Sequence, residues 1–201
     1  NKVMNLTAIT EFEDVVGKHF LDSVLAARYF DFSSAQSLID VGTGAGFPGI
    51  PLKILYPQLQ VVLLDSLRKR VDFLQEIVDN LKLCSVEAVH ERAEEIGRDA
   101  RFRESFDVCV SRAVANLSTL SEYCTPFLKT GGVFISYKSG TADEEAEKAA
   151  GAIKKLGCRR MKTEKYSLGE AGRSLIFIER AERLGSQYPR KAGIPAKKPL
   201  E

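Results

Sequence analysis

Residues Asp40 to Gly49 read DVGTGAGFPG, and the stretch has two parses. Counted from Gly42 it is G-x-G-x-G, the loop of many S-adenosylmethionine (SAM) enzymes. Counted from Gly44 it is G-x-G-x-x-G, the dinucleotide fingerprint. Both follow a strand-like run, SLID, and open a helical one, so both put small residues where backbone meets a ligand. Asp40 separates them. A dinucleotide-binding strand usually carries an apolar residue at this position, and a carboxylate would repel a pyrophosphate. The same carboxylate suits the cationic amino group of SAM, reached directly or through water. This favours the first parse, with Gly42, Gly44 and Gly46 forming the turn and Gly49 belonging to the following helix.

Outward from the loop, short β-branched runs alternate with amphipathic helical patterns, which predicts a parallel sheet covered on both faces. The predicted strands are 37–42, 61–66, 86–91, 106–113 and 131–139. Val71, Leu74, Ile77, Val78 and Leu81 share one helical face, as do Leu117, Leu120, Tyr123 and Cys124. DEEAEKAAGAIKKLG is acidic at its start and basic at its end, as the helix dipole prefers, and stops at Gly157. Then RMKTEKYSL and RSLIFIER follow each other with only a short turn, EAG, which predicts an antiparallel hairpin. A parallel series closed by such a pair predicts the Rossmann-like class I methyltransferase fold: a mostly parallel seven-stranded sheet. Residues 1–36 read as helical, 37–180 as the cofactor-binding core, and 181–201 as a basic tail whose 184–201 portion is extended, its prolines forbidding a helix.

The 201 residues suit one domain. No apolar run approaches the ~20 residues that span a bilayer, and no signal-peptide pattern opens the chain. A soluble, cytoplasmic monomer is expected, although the first residue is Asn1 rather than Met. Cys84, Cys109, Cys124 and Cys158 lie far apart without C-x-x-C spacing, so neither a zinc site nor a redox pair is expected. Net charge is only +2, but from Arg180 onward six cations face two acids. Cationic tails are commonly solvated; where the substrate is RNA they contact phosphates and make affinity salt-dependent. Arg190, Lys191, Lys197 and Lys198 are the candidates. Truncation after Leu184 is expected to flatten that salt dependence while leaving SAM binding intact.

Asp65 ends the second strand about 20 residues past the glycines, where a carboxylate takes both ribose hydroxyls of a nucleoside; the plainer alternative is that it caps the helix beginning near Leu67. Ala93 and Glu94 stand after the third strand, where backbone and a polar side chain bracket an adenine. Taken alone, Glu94 reads as a solvated first-turn acid.

DVGTGAGFPGIPLKI, LLDSLRKRVDFL, FDVCVSRAVANLSTL, KHFLDS and YPRKAGIPAKKP resemble, in order and spacing, the bacterial 16S rRNA guanine-N7 methyltransferases of the RsmG family, also called glucose-inhibited division protein B. The similarity spans nearly the whole chain. Its G-F-P-G-I-P portion is far more specific than a bare glycine loop. The family has a longer helical segment ahead of NLTAIT, so by this resemblance the chain is shortened at its N-terminus. The resemblance implies SAM-dependent methylation of nitrogen 7 of one guanosine in the 530 loop, with 16S rRNA or the small ribosomal subunit as partner. It implies cofactor contacts at Gly42, Phe47, Ala93, Glu94 and Arg112; Asp40, Gly44 and Asp65 join them on the physical grounds above.

Nitrogen 7 carries an in-plane lone pair and no proton, so no general base is needed, and catalysis reduces to alignment in a water-poor site. Arg112, after the fourth strand, and Lys138, near the end of the fifth, are the candidate donors to guanine O6. Their plainer alternatives are a surface ion pair and a solvated lysine. His19 and Asp22 share a helical face, with a structural role or one at the cofactor entrance. Another RNA, protein or small-molecule acceptor, and a non-catalytic SAM- or RNA-binding module, are the alternative functions.

Overall fold

A computed structural model describes residues 11–112, 115–140 and 142–201. The expected helicity of residues 1–10 and the end of the predicted fourth strand at Ala113 lie outside them. One sheet of seven strands has the order β3-β2-β1-β4-β5-β7-β6. Its strands are β1 (Ser37–Val41), β2 (Gln60–Asp65), β3 (Val86–His90), β4 (Phe106–Arg112), β5 (Leu128–Ser139), β6 (Cys158–Leu168) and β7 (Ala171–Arg180). The first five pair in parallel, and β7 runs antiparallel between β5 and β6. The expected architecture is the one found.

The helices are α1 (Gly49–Leu55), α2 (Arg68–Asn80), α3 (Ala93–Ile96), α4 (Leu117–Cys124), α5 (Ala142–Lys148), α6 (Ala150–Lys155) and α7 (Ile194–Lys197). Strand alternation sorts them into two layers. Leu38 joins Leu52, Leu63 and Leu74 in the core under α1 and α2, whereas Ile39 and Val41 join Leu117, Leu120 and Phe134 in the core under α4. Asp40 shares the parity of Leu38 and so enters the layer of α1. Val71, Leu74 and Val78 bury the expected face of α2, but Leu81, just past its end, is exposed.

Three local features differ from expectation. The hairpin turn is Gly169 and Glu170 rather than EAG, since Leu168 pairs with Ala171; Gly169 adopts φ 58, the conformation that a two-residue turn demands at its first central position. The acidic-to-basic helix is divided at Ala149 into α5 and α6. The tail is neither extended nor free of helix. Pro195 sits in the first turn of α7, where its missing N–H costs nothing, and Pro189 and Pro195 are buried.

Ahead of the sheet, Phe12–Val15 and Asp22–Val24 are α-helical, Val16–Leu21 is a π-helical stretch, and Leu25–Arg28 closes the run as a 3₁₀ turn. Strand order reverses between β1 and β4, and in open sheets of this kind ligands bind at the C-terminal ends of the strands beside that switch.

Candidate cofactor and acceptor site

The loop after β1 is folded by two carboxylates. Gly42, Gly44 and Gly46 all have positive φ, at 72, 62 and 94°, so the turn needs glycine at each. Wholly buried Asp40 accepts from Thr43 Oγ1 at 2.7 Å and from the Gly49 N–H at 2.8 Å, both through Oδ2. The first amide of α1, which a pyrophosphate would claim in a dinucleotide site, is therefore already taken by protein. A Cβ on Gly49 would lie 2.9 Å from that oxygen and 2.6 Å from Leu63 Cδ2, so Gly49 is needed for close packing. Asp40 Oδ1 is buried with no hydrogen-bond partner. Burial pushes the carboxyl up to about 6, against the lowering effect of Thr43 and Gly49.

Asp65 Oδ2 accepts from the Gly44 N–H at 3.0 Å and from Arg70 at 3.3 Å, while Oδ1 accepts from the Leu67 N–H at 2.9 Å. Leu67 is the N-cap residue of α2 and no side chain caps that helix, so Asp65 braces the residue ahead of the helix and ties the glycine loop to β2. It borders a cleft of about 470 Å³ whose lining includes Gly42, Ala93, Glu94 and Tyr123. Glu94 is no solvated acid. It is 4% exposed and accepts from the Gly193 N–H at 2.8 Å. Burial, then the carboxylates of Glu94 and Glu122, push the Tyr123 phenol up to about 12.

A second cleft, of about 540 Å³, is lined by Lys18, His19, Asp22, Arg112, Tyr137, Lys138, Ser139 and Arg173. Arg112 donates to buried Asp22 Oδ2 at 3.0 Å and stands 5.3 Å from the centre of the Phe47 ring. Its partner is an interior acid rather than a surface one. Phe47 also stacks on His19 at 5.1 Å. Burial, followed by the Arg112 cation, holds the His19 imidazole below its ordinary pKa. Asp22 Oδ1 accepts from the Tyr166 hydroxyl at 2.8 Å and has Arg173 Nε at 3.8 Å. Lys138 is not a solvated lysine: its Nζ donates to Ala115 O at 2.9 Å and to Glu145 at 2.8 Å. Those bonds join Ala115 to α5 through Lys138. The glycine loop meets both clefts, lining the first through Gly42 and packing Phe47 against residues of the second.

The tail cations separate. Arg190 forks onto wholly buried Glu122 at 2.6 to 3.0 Å, whereas Lys191, Lys197 and Lys198 are exposed. Among the described residues no helix is long and apolar enough to cross a membrane, and no group of three or more His, Cys, Asp or Glu is placed to hold a metal.

The family model described as rRNA small subunit methyltransferase G, or GidB, matches residues 1–175. The chain belongs to this family. Two members named Ribosomal RNA small subunit methyltransferase G, from Brevibacillus brevis and Lachnoclostridium phytofermentans, are 50% and 49% identical to it. Each match takes in the whole of this chain and 85% or 84% of the relative. A SAM-dependent methyltransferase from Aquifex aeolicus superposes with a TM-score of 0.61 at 16% identity, covering 83% of this chain and 93% of that one, which speaks for the shared fold.

Sequence reasoning passed over several residues of this GidB chain. Arg173 joins Tyr137 of β5 in the second cleft only because β7 pairs beside β5. Glu122 and Gly193 matter only because the tail folds back. Alternation along RSLIFIER assigns Arg173 a face, but nothing local says what that face meets.

Proposed function

We propose that this methyltransferase binds SAM in the first cleft and transfers its methyl group to nitrogen 7 of one guanosine in the 530 loop of 16S rRNA. The observation that carries the cofactor reading is Asp40. Its Oδ2 closes the amide that a pyrophosphate would need, and its buried Oδ1 has no partner, which fits a cationic amino group and not a phosphate. Asp65 takes the ribose hydroxyls, and Ala93 with Glu94 brackets the adenine. Gly42, Gly44 and Phe47 shape the passage to the second cleft. When bound, SAM supplies an electrophilic methyl on a sulfonium.

The second cleft does the rest by position and charge. Among the described residues, Lys18, Arg112, Lys138 and Arg173 line it against one acid, Asp22, an excess of cations suited to a polyanionic acceptor. Arg112, locked by Asp22 and packed on Phe47, is a preorganised donor for guanine O6, the acceptor beside nitrogen 7. Guanine loses no proton on attack, so His19 has no base to supply. Lys138 contributes by holding the Ala115 segment, with one N–H left for the acceptor. Lys191, Lys197 and Lys198 extend phosphate contact beyond the cleft.

Equilibrium binding of SAM and NAD tests the cofactor assignment. SAM binds with one site per chain and NAD does not; Asp65→Ala abolishes SAM binding. NAD binding without SAM binding overturns it.

A further inference from the structure

The basic tail is fastened to the body of the protein along its middle. Arg98 Nη2 donates to the carbonyls of Gln187, at 3.2 Å, and of Pro189. Arg103 donates to the carbonyl of Tyr188 at 2.8 Å. Arg190 then grips Glu122 with its guanidinium and also with its backbone N–H, at 2.7 Å. Glu122 is wholly buried and Arg190 partly so, and without Arg190 the acid has no water to fall back on. Three residues later Gly193, at φ 80, turns the chain so that its N–H meets Glu94 Oε1 at 2.8 Å, and the Thr119 hydroxyl holds the Pro195 carbonyl at 3.1 Å. One helix, α4, thus supplies Thr119 and Glu122 to the tail and Tyr123 to the first cleft.

We propose that residues 187–195 are a latch that positions Glu94 for the adenine of bound SAM, with the Arg190–Glu122 pair as its anchor and the Gly193 amide as its working contact. The proposal rests on reading the first cleft as the adenosine site. A carboxylate on a two-methylene stem swings freely unless one oxygen is fixed. With Oε1 held by Gly193 and the Tyr123 hydroxyl also engaging the side chain, the carboxylate is set to accept from the exocyclic amine of the base. Arg190 and Gly193 are positioning residues, touching Glu94 or its support and not the ligand. Residues that lock the groups in direct contact with a ligand decide whether a site is tight or loose. Truncation after Leu184 therefore removes the latch together with the cations and does not leave SAM binding intact, contrary to what the sequence suggests. The tail's cationic character and its service to the cofactor site are separate: Arg190 works inside, while Lys191, Lys197 and Lys198 face solvent.

The test compares wild type, Arg190→Ala, Arg190→Lys and Gly193→Pro. Gly193→Pro deletes the donor and the left-handed turn at a position where a Cβ meets nothing within 4 Å, and leaves the Arg190–Glu122 pair in place, so it stands in if Arg190→Ala fails to fold. Calorimetry measures the affinity for SAM and for 5′-methylthioadenosine, which has the adenosine half without the amino acid. The latch predicts that Arg190→Ala and Gly193→Pro weaken both ligands by the same factor, about tenfold, the worth of one hydrogen bond to a charged group. Arg190→Lys restores part of the loss. In turnover the KM for SAM rises, while kcat at saturating SAM and the KM for rRNA change by less than about twofold. Lower melting temperatures with unchanged affinities would make the tail purely structural and overturn the latch, as would a rise in the KM for rRNA alone. If wild type binds neither ligand, the adenosine reading of the cleft fails first; if wild type binds both and the folded variants match it, the latch alone fails.

Discussion

Replacing Gly49 by alanine separates the two parses of the glycine loop by their physical consequences. The added Cβ would stand 2.6 Å from Leu63 Cδ2 and 2.9 Å from Asp40 Oδ2, both in the fully buried layer under α1. Forcing a methyl into such packing costs about 1–3 kcal/mol. Moving Asp40 off the Gly49 amide forfeits a hydrogen bond to a charged group, about 1.5–3 kcal/mol. The better helix propensity of alanine returns at most about 1 kcal/mol. The net loss is about 3 kcal/mol, or about 6–12 °C in Tm for a domain of this size. Gly44→Ala is the control. A Cβ there meets nothing within 4 Å, and its cost is the left-handed backbone alone, at φ 62, about 1–2 kcal/mol. Thermal melts of the ligand-free protein at pH 7, followed by circular dichroism, measure both. Gly49→Ala also weakens SAM binding, because Asp40 has been displaced. A Gly49→Ala protein as stable as wild type, or a Gly44→Ala protein that is the less stable of the two, would refute the assignment of Gly49 to packing.

Further predictions concern charge. Asp40, raised from 3.8 to about 6 by burial, binds its proton more tightly when folded, so its contribution to stability is lost as pH rises. Between pH 4 and 7 the loss reaches about 3 kcal/mol. A cationic ligand beside it reverses the preference, so SAM affinity rises through the same window; Asp40→Asn removes both slopes, and an unchanged pH dependence in that variant speaks against the contact. Alanine at Lys191, Lys197 and Lys198 together reduces the slope of log rRNA affinity against log salt by about 2–3, at about 0.7–0.9 for each phosphate that is no longer neutralised, with SAM affinity unchanged; filter binding at several salt concentrations reads it. Glu145→Gln weakens the hold on Lys138 and the Leu117 amide; it lowers kcat more than SAM affinity in single-turnover assays.

Legibility in the sequence followed interaction range. Strands, helix faces and the closing hairpin were readable because alternation and helical periodicity are local, and the hydrogen-bond partners of Asp40, Thr43 and Gly49, likewise lie within nine residues of it. Glu94 misread as a solvated acid when taken alone because its partner, Gly193, is 99 residues away. Arg190 resembled a phosphate ligand for the same reason: Glu122 is 68 residues distant. Composition marks a cationic tail, but only tertiary pairing shows which cations are already spent. Arg173 and Asp22 meet across the sheet, from the N-terminal helical run and from β7, a juxtaposition no spacing encodes.

The central claim is tested most directly by incubating the protein with methyl-labelled SAM and either small ribosomal subunits or free 16S rRNA from cells that lack the enzyme, then mapping the modified nucleotide. The expected result is label in one 7-methylguanosine within the 530 loop. Label on another atom or another nucleotide, or none from a protein that binds SAM, would contradict it.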